Sequence, residues 1–203
     1  MSQNIQLTFI DRSNDMSNSE ILIFLHNAAI DILDLSRPWQ IIRNLGQGSK
    51  RTIEFSDTQM VEVVDPDGNI LPPLAAKRGE KFHITMGPSG TKLSLLGPAS
   101  SPEEIEVLNG LASGSITVRI LKDGHIAAEK TSVEPDQKAV FELLPRIFVD
   151  LRSEYDGGSM VSNNHLEEFN LLGIRSADVV MSGGGSGETA VAFRFSIENT
   201  VMV

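Results

Sequence analysis

Short runs in which apolar and polar residues alternate recur along most of this chain. The clearest runs lie at 5–9, 82–86, 116–120 and 191–197, and residues such as Gly, Pro, Asn, Asp and Ser separate them. A period of two places successive side chains on opposite faces of a β-strand, so each run predicts a strand with one face on a core. The pattern therefore predicts an all-β fold.

Turn residues agree with this prediction. Asp67-Gly68 and Asp123-Gly124 each stand between apolar runs, where a hairpin turn needs positive φ. Two more reversals are expected at Pro88-Ser89-Gly90 and at Glu134-Pro135-Asp136. Further strands are predicted at 39–43, 52–55, 60–65, 91–95, 125–131, 138–143, 146–152 and 177–181.

One short α-helix is predicted over residues 102–112. Ser101-Pro102-Glu103-Glu104 reads as a capping box with Pro at the first helical position. Ile105, Leu108 and Leu111 then follow at helical spacing.

Residues 17–35 fit two structures. Ile21 to Leu25 is typical of a strand buried on both faces, whereas Ser17 to Glu20 also matches a capping box and starts a helical stripe. We favour the strand, and the amphipathic helix stays open as the alternative. An amphipathic helix near the N-terminus is typical of an arm that inserts into a membrane. Asp31 and Asp34 on the polar positions of this helix disfavour insertion.

Together these elements predict a two-sheet antiparallel β-sandwich of about 10–12 strands with one short helix. The 203 residues are expected to form a single domain, 1–203, because globular domains average roughly 150 residues. A similar order of elements around 60–86 and 116–143 raises a weak duplication as an alternative. The expected core is Phe9, Ile23, Trp39, Ile41, Val63, Phe82, Ile84, Val118, Ile120, Phe141, Val149, Phe193 and Phe195.

Charge and composition exclude several classes of function. The chain carries 17 Lys and Arg against 27 Asp and Glu, a formal charge of −10, so we predict no nucleic-acid partner. The same negative charge disfavours binding to a membrane surface of anionic lipids. Membrane action stays open as a hypothesis. The absence of cysteine excludes disulfides and thiol chemistry, and 5% aromatic residues are few for a lectin.

No motif for catalysis or cofactor binding is complete. Gly46 to Arg51 and Ser182 to Glu188 are glycine-rich but break the phosphate-loop patterns, so we interpret both as turns. The start of a calcium-binding loop is resembled by Asp65, Asp67 and Asn69. Pro66 and the position of the glycine favour a hairpin turn instead. The four histidines have no metal-binding spacing, and we predict no metal, no cofactor and no enzyme activity.

The apolar C-terminus, Thr200-Val201-Met202-Val203, needs burial against its own sheet or another subunit. We therefore expect a non-catalytic, acidic protein that binds another protein or self-associates into a homo-oligomer, with Thr200, Val201, Met202 and Val203 as interface residues. A pore-forming or toxin-like membrane protein is the alternative, and an enzyme with an unrecognised site is the second alternative. Without a signal peptide or apolar span we expect a cytoplasmic protein; export without a cleaved signal stays open.

Overall fold

Strands make up the regular structure of this chain. The structure, a computed structural model, describes residues 4–15, 19–152, 166–185 and 190–203. In chain order the strands are β1 Ile5–Asp11, β2 Glu20–Phe24, β3 Gln40–Ile42, β4 Lys50–Phe55, β5 Gln59–Val64, β6 Leu74–Ala76, β7 Glu80–Gly87, β8 Gly90–Pro98, β9 Ile105–Asn109, β10 Ile116–Lys122, β11 His125–Val133, β12 Lys138–Phe141, β13 Arg146–Arg152, β14 Glu167–Asn170, β15 Ile174–Gly184 and β16 Val191–Met202.

The predicted all-β fold is confirmed, since these sixteen strands form four sheets of four strands and no helix occurs in the described residues. The count exceeds the predicted ten to twelve strands. β6, with three residues, accounts for part of the difference because alternation cannot be recognised over three positions, and β9 lies where a helix was predicted.

The chain divides into two compact units. Unit 1 takes in the described residues of Met1–Leu25, Leu35–Asp57 and Pro145–Val203. Unit 2 takes in His26–Asp34 and Thr58–Leu144, so it is nearly continuous in sequence, whereas unit 1 is assembled from both ends of the chain. The single domain over 1–203 stays a prediction.

Each unit contains one wholly antiparallel sheet and one mixed sheet, so the predicted two sheets with only antiparallel pairing are wrong. The parallel pairs join strands that are distant in sequence, which alternation within a run does not reveal. In unit 1 the antiparallel sheet has the order β14-β13-β2-β3, and the mixed sheet β16-β15-β1-β4 has β1 and β15 parallel at its centre. In unit 2 the antiparallel sheet is β11-β10-β5-β6, and the mixed sheet β12-β9-β7-β8 has β7 and β9 parallel at its centre. The ranges 60–86 and 116–143 both lie in unit 2, and their duplication stays a prediction.

Burial along the strands follows the alternation that the sequence predicts. In β1 the side chains of Ile5, Leu7 and Phe9 are buried and the residues between them are more exposed. β5 and β10 show the same pattern, so each presents one face to a core. Eleven of the thirteen predicted core residues are buried, and the other two, Ile41 and Phe193, are half-buried.

β2 is buried on both faces, which explains its unbroken apolar sequence. Leu22 and Phe24 pack with Phe148 of β13 in a buried cluster, and Leu35, Ile41 and Leu166 pack against that cluster. The strand interpretation of residues 17–35 is therefore confirmed at Glu20–Phe24. Residues 26–34 form turns and bends instead of the alternative helix, and residues 17 and 18 lie outside the described ranges.

The predicted helix at 102–112 is wrong, because Ile105–Asn109 forms β9. Ser101 makes only a local turn, in which its Oγ atom accepts a hydrogen bond from the Glu103 N–H at 3.3 Å. β9 is a central strand between β12 and β7, and its β-branched residues Ile105 and Val107 are fully buried there. Pairing on both sides outweighs the local capping signal.

The Asp123-Gly124 hairpin is confirmed. Both residues have positive φ, 52° and 78°, which is the requirement of the two-residue type I′ turn. The turn joins β10 to β11 and places Lys122 opposite His125.

Candidate interface at the C-terminal edge strand

β16 is the longest strand of the structure and lies at the edge of its sheet. It has twelve residues and pairs on one side with β15, and no described strand pairs with its other side. An edge strand leaves a row of backbone N–H and C=O groups unpaired, so it is a template for another strand.

The four residues that the sequence predicts as an interface, Thr200 to Val203, lie together at the end of β16 and are all exposed. Their backbones complete the sheet: Val201 pairs with Ser176, Met202 pairs with Ile174, and the Val203 N–H donates to the Gly173 carbonyl at 3.0 Å. Their side chains remain in solvent, with Met202 60% and Val203 83% exposed. The structure thus brings these residues together, and their role as an interface stays a prediction.

The beginning of β16 is apolar and exposed as well. Val191 is 62% exposed, although the alternation predicts that it faces the core. The register explains the difference, because Gly184 pairs with Val191 and Ser182 pairs with Arg194, so β16 contains an extra residue there. This bulge changes the face on which residues before Arg194 lie.

Gly183 makes this bulge possible. Its φ is +99°, and a Cβ atom on it would lie 2.3 Å from the Ala192 carbonyl oxygen. Only glycine combines that backbone conformation with so close an approach of the neighbouring strand. The glycine-rich stretch at 182–187, interpreted from sequence as a turn, therefore begins inside β15; residues 186–189 lie outside the described ranges.

A second bulge lies near the other end of β16. Glu198 pairs with Asp178 and Val201 with Ser176, so one extra residue of β16 again lies between two pairs. Asn199 in this bulge has a φ of 47°, and its Nδ2 atom donates to Asp178 Oδ2 at 2.7 Å. The regular part of the strand is the stretch between the bulges, from Arg194 to Glu198.

Opposite charges border this regular stretch. Arg194 is exposed and forms no ion pair within the part of the chain that the structure describes. Glu198 is half-buried, and Arg12 Nη1 donates to Glu198 Oε2 at 2.9 Å. Ser196 lies midway between Arg194 and Glu198 in sequence, and its side chain is exposed.

Two other edge strands carry features that discourage strand addition. On β4, the opposite edge of the same sheet, Lys50 and Arg51 are exposed. In unit 2, β8 exposes Leu95 and Leu96 but also carries Lys92 and ends at Pro98, which has no N–H to donate. Lysine and proline are typical protections of a sheet edge. β16 has neither residue.

A second polar cluster, in unit 2, centres on Glu106 of β9. The Glu106 side chain has no exposed surface, Lys138 Nζ lies 2.5 Å from its Oε1 atom, and Lys81 Nζ lies 3.5 Å from its Oε2 atom. Burial raises the pKa of Glu106, but hydrogen bonds from Lys138 and Ser100, with the charge of Lys138, outweigh burial and lower the pKa to about 2. A carboxylate this acidic stays ionised near neutral pH and is unsuited to proton transfer, which favours a structural role.

The calcium-like sequence at Asp65 forms a closed turn. Asp65 Oδ1 accepts hydrogen bonds from the N–H groups of Asp67 and Asn69, at 3.0 and 2.8 Å. Asn69 Nδ2 also donates to both Asp65 oxygens. The Asp65 carboxylate is therefore engaged by its own loop, as the hairpin interpretation predicts.

The other candidate site residues from the sequence lie in a turn or on strands. Gly46 to Ser49 turns the chain into β4, with the Ser49 N–H donating to the Gly46 carbonyl at 2.9 Å. His83 is on β7 and His125 on β11, and His165 lies outside the described residues. Within the described ranges, no three His, Asp or Glu side chains are grouped to hold a metal ion. The same ranges contain no helix of the length and hydropathy that crossing a membrane requires.

Val191, Arg194 and Glu198 are candidate interface residues that the sequence alone did not predict. The signal was present, because Arg194 and Glu198 fall on the same side of an alternating run. The run alone does not show that β16 is an edge strand, since that depends on pairing with distant residues. Comparison with protein-family models, with curated proteins and with solved structures found no match to this chain.

Proposed function

We propose that this protein acts without catalysis, by self-association through the free edge of β16. The observation that carries the proposal is the combination of length, edge position and exposed apolar side chains at both ends of one strand. Exposed apolar side chains beside unpaired backbone groups are stabilised when another strand adds to the edge.

A fold with two layers in each unit supports this proposal. We infer that the two sheets of each unit pack face to face as a β-sandwich, because β1, β5 and β10 each bury one face. A sandwich buries one face of each sheet and leaves the edges of the sheets in solvent. Association through an edge then adds backbone hydrogen bonds without rearranging the core.

The test replaces the exposed apolar side chains at the end of β16. In the variant Val201→Lys with Met202→Lys, two lysines stand at the free edge, and we expect the oligomer measured by light scattering to become a monomer. The matched control, Leu95→Lys with Leu96→Lys, makes the same change in charge on β8 of unit 2 and should keep the molar mass of the wild type. Thermal unfolding of both variants verifies folding. Equal molar masses for the β16 variant and the wild type would contradict the proposal.

Membrane action is a second candidate function, and one observation favours it. On the segment 26–34, Ile32 is 78% exposed, and Ile30 and Leu33 are also exposed. Exposed aliphatic side chains on a turn can enter the boundary between headgroups and acyl chains. Release of a dye from phosphatidylcholine vesicles would support this function if Ile32→Ser abolished the release. Intact vesicles at micromolar protein would reject it.

A further inference from the structure

Resting on the proposed self-association, we infer that the partner of β16 is β16 of a second copy of this chain, paired antiparallel with Ser196 on the two-fold axis. A two-fold interface brings the same surface of both subunits together, so the strand must be complementary to its own reverse. The properties of β16 satisfy this condition around Ser196 in charge, in shape and in apolar character.

Charge is the first of these properties. With Ser196 opposite Ser196 of the partner subunit, Arg194 lies opposite the partner's Glu198, and Glu198 lies opposite the partner's Arg194. Opposite charges at directly paired positions stabilise an antiparallel pair. The pairing supplies Arg194 with the carboxylate that the described residues of its own chain do not provide, while Arg12 neutralises the other side of Glu198.

The two bulges are the second property. One bulge lies between Val191 and Arg194, and the other lies between Glu198 and Val201. Arg194 and Glu198 are each two residues from Ser196, and Val191 and Val201 are each five residues away. A two-fold axis at Ser196 therefore places each bulge opposite the other bulge of the partner, and both regular stretches face each other without an offset.

The apolar ends are the third property. The same register places Val191 opposite the partner's Val201, so side chains that are 62% and 40% exposed in one chain cover each other twice in the dimer. β-branched side chains in direct cross-strand contact are among the pairs that stabilise sheets. The interface thus has an ionic centre between two apolar ends.

Neighbouring registers lose these contacts. An axis at Phe195 places Arg194 opposite the partner's Ser196, and an axis at Ile197 places Glu198 opposite the partner's Ser196, so neither forms the ion pairs. An axis at Arg194 or at Glu198 brings two like charges together, which destabilises an antiparallel pair. Within the regular stretch, Ser196 is the position whose two-fold axis pairs both charges.

The product of this pairing is one continuous sheet of eight strands, in the order β4-β1-β15-β16 and its two-fold image. Eight strands lie within the size range of sheets in globular proteins. The pairing removes the free edge of β16 in both copies, and the ends of the new sheet are the two β4 strands with their exposed Lys50 and Arg51. The assembly therefore closes at two subunits instead of growing into a fibre.

The first experiment uses the absence of cysteine from the chain. In Ser196→Cys the only two thiols of the dimer meet at the axis, where directly opposed strand residues are within the Cα separation that a disulfide needs. The control, Thr52→Cys, places an exposed thiol on β4, the other edge of the same sheet. Under mild oxidation we expect disulfide-linked dimer to form at least about tenfold faster from Ser196→Cys than from Thr52→Cys.

The second experiment reverses the charges. Arg194→Glu places a glutamate opposite the partner's Glu198 and should raise the dissociation constant about tenfold or more. Because Arg12 Nη1 lies 2.9 Å from Glu198 Oε2, the charge-exchange variant combines Arg194→Glu, Glu198→Arg and Arg12→Glu. It exchanges the charges of both ion pairs and should return the constant toward the wild-type value.

The two experiments separate this inference from the proposed self-association. A dimeric wild type whose Ser196→Cys variant links no faster than Thr52→Cys overturns the register and leaves self-association standing. A charge-exchange variant no tighter than Arg194→Glu alone also overturns the register. A wild type that stays monomeric overturns both proposals.

Discussion

Lys138 Nζ lies 2.5 Å from Oε1 of Glu106, a carboxylate without exposed surface in the central strand β9. Lys81 approaches the other oxygen at 3.5 Å, so one buried negative charge is shared between two partly exposed lysines. A buried charge with these partners stabilises the fold only while the carboxylate is ionised. This arrangement makes the stability of unit 2 dependent on pH.

The first prediction concerns acid. The pKa of Glu106 is lowered from 4.5 to about 2 in the folded chain, so its contribution is complete above pH 4.5 and is lost as the pH falls toward 2. Glu106→Gln should reduce the free energy of unfolding by about 2 kcal/mol at pH 7, after allowance for solvent screening of the lysines, and by less near pH 2. Urea denaturation at several pH values measures the difference.

Glu103→Gln is the control for this prediction. Glu103 pairs with Arg78 at 3.3 Å on the surface, where its side chain is 57% exposed, and its replacement should change the stability little at any pH. A loss for Glu106→Gln that is the same at pH 7 and pH 2 would contradict the assignment of its stabilising effect to the charge.

The second prediction concerns the glycine opposite the first bulge of β16. Gly183→Ala adds a Cβ atom 2.3 Å from the Ala192 carbonyl oxygen, so either the strand must move or the bulge must open. We expect a loss of about 2–3 kcal/mol in the free energy of unfolding. Gly124→Ala is the matched control, because its φ of +78° is similarly positive but nothing lies within 4 Å of its added Cβ. A loss of about 1 kcal/mol there isolates the backbone strain, and equal losses at both positions would refute the steric argument.

The third prediction concerns the turn at Asp65. Burial raises the pKa of Asp65, but hydrogen bonds from Asn69 and Asp67 lower it below its usual value. Asp65→Ala leaves two backbone N–H groups of the turn without their acceptor and should destabilise the chain by about 1–2 kcal/mol. Asp67→Ala keeps both acceptor oxygens of Asp65 and should be close to neutral. Because ionised Asp65 is the better acceptor, the difference between these variants should shrink on acidification, which chemical denaturation at pH 7 and pH 3 can measure.

Much of the fold could be predicted because it follows from patterns of neighbouring residues in the sequence. Alternation identified β1 and β10 through the burial of one face, and Asp123-Gly124 identified a turn through the conformations that its two residues tolerate. The unbroken apolar run from Ile21 to Leu25 predicts a strand because such a run is typical of a strand buried on both faces.

Other features depend on contacts between residues that are distant in sequence. Ile105 and Val107 follow a capping box, and only pairing with β7 and β12 makes them part of a strand. The alternation of its run predicts that Val191 faces the core. Val191 is exposed instead because of the bulge opposite Gly183, which depends on the pairing of β15 with β16. The C-terminal residues were predicted to need burial, but the free edge beside them follows from the order of strands in the sheet.

The central claim is self-association through β16, and the molar mass in solution tests it most directly. Light scattering after size-exclusion chromatography, over an about hundredfold range of concentration, should show a transition from the 22.1 kDa chain to a species of twice that mass without larger species. A constant mass of 22.1 kDa up to the highest concentration would contradict the claim, and growth beyond two subunits would contradict the closed pairing at Ser196.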